Sequence, residues 1–225
     1  MPHRAARARR TVLPVAVPVG LVLSLAVTWG STYAAFSAST GNGGNSWQAG
    51  SVVLTDSDSG SALFTTDGAV SPNDSALRPG STRSRCIRLD YTGSLPADIR
   101  MYVATPTSGA NALDPFLVMS VERGIDVDVD TTVAADCSAG FTSTATPTFL
   151  YNTAQAGTPS ADASKTLSDL KATRADYQSG LRMSPDPIAS NTYLTLRITY
   201  VLKDDNLAQN KQSSATFTWE ARNTP

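Results

Sequence analysis

The feature that most constrains this chain is a two-residue alternation of apolar and polar side chains, repeated in several short stretches. Ile87, Leu89 and Tyr91 alternate with Arg88 and Asp90, and Ile99, Met101 and Val103 alternate with Asp98, Arg100 and Tyr102. Further on, Leu194, Leu196, Ile198, Tyr200 and Leu202 alternate with Tyr193, Thr195, Arg197 and Thr199. Near the end Ala215, Phe217 and Trp219 alternate with Thr216, Thr218 and Glu220. Successive side chains of a strand point to opposite faces, so each stretch predicts a strand with one buried and one wet face. Val52–Thr55, Phe116–Arg123 and Ile125–Val129 add shorter strands, and Thr148–Tyr151 a further candidate. Turns are expected at Arg78-Pro79-Gly80, Thr92-Gly93-Ser94, Thr105–Asn111 and Asp204-Asp205-Asn206. Short strands punctuated by Gly, Pro and Asn predict an all-β domain built as an antiparallel β-sandwich. Ala161–Tyr177 carries Ala163, Leu167, Leu170, Arg174 and Tyr177 at roughly helical spacing, and is either one short helix in a crossover or a loop.

The start of the chain has another character. Arg4, Arg7, Arg9 and Arg10 precede the apolar run Val12–Trp29, and Thr32-Tyr33-Ala34 ends it on small residues. A basic region, an apolar region and a small-residue exit describe a secretory signal, with cleavage expected between Ala34 and Ala35. The apolar run is 18 residues long, the lower limit for a membrane span, so a retained anchor is the alternative. Pro14, Pro18 and Gly20 weaken a continuous helix there, and no permanent span is expected. The expected organisation is therefore residues 1–34 as signal peptide, residues 35–48 as a flexible N-terminal segment, and residues 49–225 as one domain. Export also bears on Cys86 and Cys137, the only two cysteines. In an oxidising compartment they form one disulfide; two free buried thiols are the alternative.

Composition then removes most catalytic chemistry. The only histidine is His3, which leaves with the signal, so a triad, a Cys–His pair or a His-based zinc site cannot form in the mature chain. No phosphate-cradling Gly-rich loop precedes a helix. Loss of four arginines leaves 14 basic against 19 acidic side chains, a balance that argues against nucleic-acid binding. No cofactor is expected, and the chain does not read as an enzyme; a carboxylate-only hydrolase ranks last among the functions considered. Asp126, Asp128 and Asp130 would project from one face of a strand, with Ile125, Val127 and Val129 buried behind them. That row is a candidate Ca²⁺ site, but it lacks the spacing of a calcium loop, and a solvated strand face is preferred. Asp56 and Asp58 in a Ser-rich turn carry less weight. Trp219 is expected in the core, while Trp47 either plugs an edge of the sandwich or meets a partner.

Several phrases, in order, resemble the TasA/camelysin family of exported, matrix-associated bacterial proteins. Gly30-Ser31-Thr32-Tyr33-Ala34-Ala35-Phe36-Ser37 is similar to the family's signal exit, which a dedicated signal peptidase cuts. Trp47-Gln48-Ala49-Gly50-Ser51-Val52-Val53-Leu54 resembles its first mature strand, and Leu77-Arg78-Pro79-Gly80-Ser81-Thr82 its Leu-x-Pro-Gly turn. Gly93-Ser94-Leu95-Pro96-Ala97-Asp98-Ile99 resembles the hairpin that follows, and Ala215–Ala221 the terminal strand. The resemblance implies a β-sandwich of jelly-roll type and, as in the family's best-known members, extracellular fibres of a biofilm matrix. It implies that the segment freed by cleavage adds as a strand to the next subunit, with Ala35, Phe36 and Trp47 as assembly residues. Partners would be further copies of the chain or other matrix proteins. Camelysin-like relatives are described as metalloproteases, a role that the histidine-free mature chain does not support. The expectation is thus a secreted structural protein at the cell surface or in the matrix; the alternative is a monomeric surface-binding module for a glycan or a protein.

Overall fold

The computed structural model of the chain describes residues 51–64, 74–104, 109, 111–152 and 162–224. The chain divides into two compact units, Met1–Phe36 and Ser37–Pro225, and the described residues all belong to the second. The expected signal, its cleavage point and Trp47 lie outside the described residues.

The apolar alternation near the C-terminus produces the central strand β7, Thr192–Leu202, whose Leu194, Leu196 and Ile198 are fully buried. It is antiparallel to β2, Thr82–Tyr91, on one side and to β4, Leu117–Gly124, on the other. The register sets Leu89 opposite Leu194, Ile87 opposite Leu196 and Val121 opposite Ile198, so apolar faces coincide across three strands. Strand β1, Leu54–Asp56, flanks β2, and β5, Ser143–Tyr151, flanks β4, giving the order β1-β2-β7-β4-β5. A second antiparallel sheet has the order β6-β3-β8, formed by Leu181–Arg182, Ala97–Val103 and Phe217–Asn223. Ile99, Met101 and Val103 of β3 share one core with Ile87, Leu89, Val121 and Leu196. Two antiparallel sheets of eight strands thus face each other across that core, the sandwich arrangement expected from the sequence.

The chain passes from the first sheet to the second through the turn after β2. A Cβ on Gly93 would lie 2.6 Å from the Ser51 carbonyl oxygen, so that turn requires glycine. Leu167–Thr173 forms a short helix, α1, in which Thr166 caps the start by accepting from the Asp169 backbone N–H at 3.2 Å. Leu167 and Leu170 of α1 enter the core, while Arg174–Tyr177 leave the helix. The helical spacing thus produced a helix over less than half of Ala161–Tyr177.

One expectation needs correction. Ile125–Val129 is not a strand: only Val127 makes a bridge, to Tyr193, and Ile125 and Val129 are exposed at 43% and 55%. Residues 125–142 instead form a strap across the outer face of the first sheet. Thr195 Oγ1 donates to the Ile125 carbonyl at 2.8 Å, and the Arg88 guanidinium to the Val129 carbonyl at 2.9 Å. At the far side the Cys86 N–H donates to the Ala135 carbonyl at 3.0 Å, so the strap occupies the free edge of β2 beyond β1. Alternation in a strap can mimic a strand because it reflects crossing a sheet as readily as belonging to one. Thr148–Tyr151, for its part, is the end of the longer strand β5, and the two-residue β6 carries no period that sequence could reveal.

The strap is fixed covalently by the disulfide Cys86–Cys137, with Cα atoms 5.1 Å apart. Beneath it the Glu122 carboxylate is buried against the Arg197 guanidinium, which in turn lies over the Phe141 ring at 4.8 Å. Replacing both cysteines by serine is expected to cost about 4 kcal/mol of unfolding free energy, because the bridge closes a loop of 51 residues in the unfolded chain. Denaturant titration of the double variant, with and without reductant, checks this; the variant should be insensitive to reductant.

Candidate functional site

A two-sheet sandwich has four edge strands, and each exposes backbone groups that invite pairing with another chain. Here the four edges differ. β1 has three residues and β6 has two, too short to template a partner. β5 carries Pro147, and its pairing with β4 breaks register at two places, both of which blunt an edge. β8 is different: seven residues without proline, paired with β3 in unbroken register from Ala97↔Asn223 to Val103↔Phe217. Among the described residues β3 is its only partner, and no other edge strand among them is as long and regular.

The side chains of β8 reflect that position. Phe217, Trp219 and Ala221 point inward and pack on the core but stay only partly buried, where the equivalent residues of β3 are sealed. The Trp219 indole N–H is shielded from solvent and has no acceptor among the described residues. A buried donor without a partner costs about 1–3 kcal/mol, a cost that an added neighbour could remove. The approach to β8 is pinned from below. Lys171 of α1, wholly buried, donates to the Ser214 carbonyl at 2.7 Å and to the Asp114 carboxylate at 2.8 Å. Asp114 opens a 3-10 turn before β4, so one ammonium group joins α1, that turn and the segment feeding β8.

The outer face of the second sheet is held by charge. Asp98 bonds Arg100 at 2.7 Å and Arg182 at 3.2 Å. Burial raises the Asp98 pKa, but the two guanidinium groups outweigh it and hold the carboxyl below its ordinary range. The Tyr177 ring is stacked between Arg222 at 3.9 Å and Arg100 at 4.8 Å, and the Tyr102 hydroxyl donates to Glu220 at 3.0 Å. These contacts brace β8 against β3 from outside.

The remaining sequence candidates are dispersed. Asp126 pairs with Arg123 at 2.6 Å, while Asp128 and Asp130 stand exposed in the strap. No group of three or more metal-ligating side chains occurs among the described residues. Sequence reasoning missed the Lys171–Asp114 pair because the partners are 57 residues apart and neither sits in a motif. Asp56 and Asp58 do meet: both accept from the Gly60 N–H, at 3.1 and 3.0 Å. Burial, the hydrogen bond to Asp56 and its charge push Asp58 up to about 6. No family model matches the chain, and no curated protein matches it.

Two outcomes test this description. Lys171→Ala should destabilise the fold by about 3–5 kcal/mol, because it removes the cation paired with a buried carboxylate, and Lys171→Met with Asp114→Leu should recover much of that in chemical denaturation. At the β1 turn, Asp58 binds its proton more tightly folded than unfolded. Its contribution is complete below an ordinary value of 3.8 and is lost as pH rises through about 6. Asp58→Asn should therefore flatten the melting temperature between pH 4 and 6.5 and raise it at pH 7.

Proposed function

We propose that this protein is a secreted structural subunit that assembles head to tail, the segment freed at Ala35 adding as a strand beside β8 of the next copy. The observation that carries this reading is the combination of strand order and a long edge, that of β8, beside which no other described strand lies. An eight-stranded jelly roll is a doubled-over hairpin in which strands two and seven, three and six, and four and five pair, while the first pairs with the eighth. β2 with β7, β3 with β6 and β4 with β5 follow that scheme, but β1 lies beside β2. The place beside β8 is the one such a fold gives to its first strand. A strand from another chain would complete it, satisfying the backbone groups of β8 and covering Phe217 and Trp219.

Such contact is heterologous, since donor and acceptor surfaces differ, and repeated without closure it grows a filament. The resemblance to the TasA/camelysin family supports the same reading, with export through a signal peptidase and a place in an extracellular matrix or on the cell surface. Electron microscopy of the protein beginning at Ala35 should show fibres, and a variant lacking Ala35–Trp47 should show none. Monomers from both would favour a monomeric surface-binding module instead.

A further inference from the structure

We propose that the disulfide Cys86–Cys137 is a thiol-operated latch: its reduction frees the outer loop of the strap, residues 132–140, while the two-sheet core stays folded. The loop is closed on itself. The Ala134 N–H donates to the Ala139 carbonyl at 3.0 Å, and the Cys137 N–H to the Ala134 carbonyl at 2.9 Å. At the neck a Cβ on Gly140, whose φ is +77°, would lie 2.2 Å from the Thr132 carbonyl oxygen, so the two limbs run in contact. To the sheet, the described residues give this loop one backbone hydrogen bond, from the Cys86 N–H to the Ala135 carbonyl at 3.0 Å. Val133 is its one buried side chain. The earlier part of the strap is tied down without the bridge. There the Val127 N–H donates to the Tyr193 carbonyl at 2.9 Å, and Thr195 and Arg88 hold the carbonyls of Ile125, Val129 and Thr131. The disulfide is therefore the main tether of the outer loop alone.

Two features of the closed state favour opening once the bridge is cut. Cys137 has a φ of +64°, in the left-handed region. Asn152, Asn191 and Asn210 share that region and tolerate it, whereas a cysteine side chain crowds its own backbone there. The second feature lies under the strap, where Cys86, Arg197 and Glu122 form one row across β2, β7 and β4. Glu122 Oε2 is paired with Arg197, but Oε1 is buried and finds no hydrogen-bond partner among the described residues. An opened loop lets water reach this row and hydrate that oxygen. Cys137 is half-buried and Cys86 is sealed at 2% exposure, so the thiolate of a dithiol attacks the Cys137 sulfur. The S–S bond breaks, and its electron pair leaves on Cys86, which takes up a proton. The second thiol of the dithiol, as thiolate, then displaces Cys137, which is also protonated, and the reagent departs as a cyclic disulfide. The opened protein offers the Cys86 N–H along the edge of β2, and reoxidation covers it again.

Hydrogen exchange of the purified protein, with and without dithiothreitol, tests the latch. Reduction, verified by alkylation of both cysteines, should speed exchange about tenfold or more in residues 132–140 and at Cys86, and leave β3 and β7 unchanged. Faster exchange throughout β7 would make the bridge a support of the whole fold. Unchanged exchange in the loop after complete reduction would mean that Val133 and one hydrogen bond suffice to hold it. Either result overturns the proposal. Backbone strain is read separately, in the Cys86→Ser background. Cys137→Asn should keep the loop better protected than Cys137→Ser, and equal protection means that the left-handed cysteine does not drive opening. A monothiol should leave its mixed disulfide on Cys137 in peptide mapping, and finding it on Cys86 overturns the order of attack.

Discussion

The domain depends on β7 being paired along both sides while its apolar face lies under a second sheet. Its neighbours β2 and β4 are fixed in register by that pairing, because a slip of one residue would turn every inward leucine and isoleucine outward. From β7 the rest follows. β3 must lie across the core to cover Leu194, Leu196 and Ile198, and it carries β6 and β8 with it. The outer polar face of β7 carries Thr195, Arg197 and Thr199, and the strap crosses it at Thr195 and Arg197.

That asymmetry between the sheets bears on function. The first sheet is enclosed by the core on one side and by the disulfide-fixed strap on the other, and the strap also takes the spare edge of β2. The second sheet has three strands, and β8 ends it with an unblunted edge. Buried charge is spent near this edge, where Lys171 and Asp114 hold the approach to β8 and arginine–tyrosine stacking braces its outer face. A rigid edge pays less ordering entropy when a strand adds to it.

Alternation in the sequence made β2, β3, β7 and β8 legible because one side of each meets the core and the other does not. It failed in the strap, where Val127 touches β7 in passing and Ile125 and Val129 face solvent. It also failed at β6, which is too short to have a period. The row Asp126, Asp128, Asp130 was a candidate only while a strand was assumed; among the described residues no three metal-ligating side chains come together, and Asp126 pairs with Arg123. The Asp56–Asp58 pair shows the opposite case, a local motif given little weight whose side chains do converge on one backbone N–H.

By itself the sequence determined the class of fold, the absence of histidine beyond His3 and, through the cysteine count, the one disulfide that could form. These are local or countable properties: which side of a strand is apolar, which residue types exist at all. Only the tertiary structure decided which strand would end the second sheet, that Lys171 and Asp114 would meet beside the segment leading to it, and that the Trp219 indole N–H would be buried there without an acceptor among the described residues. Those outcomes depend on pairings between residues tens of positions apart. No periodicity along the chain encodes them, because the energy that selects them appears only when both sheets close on the same core.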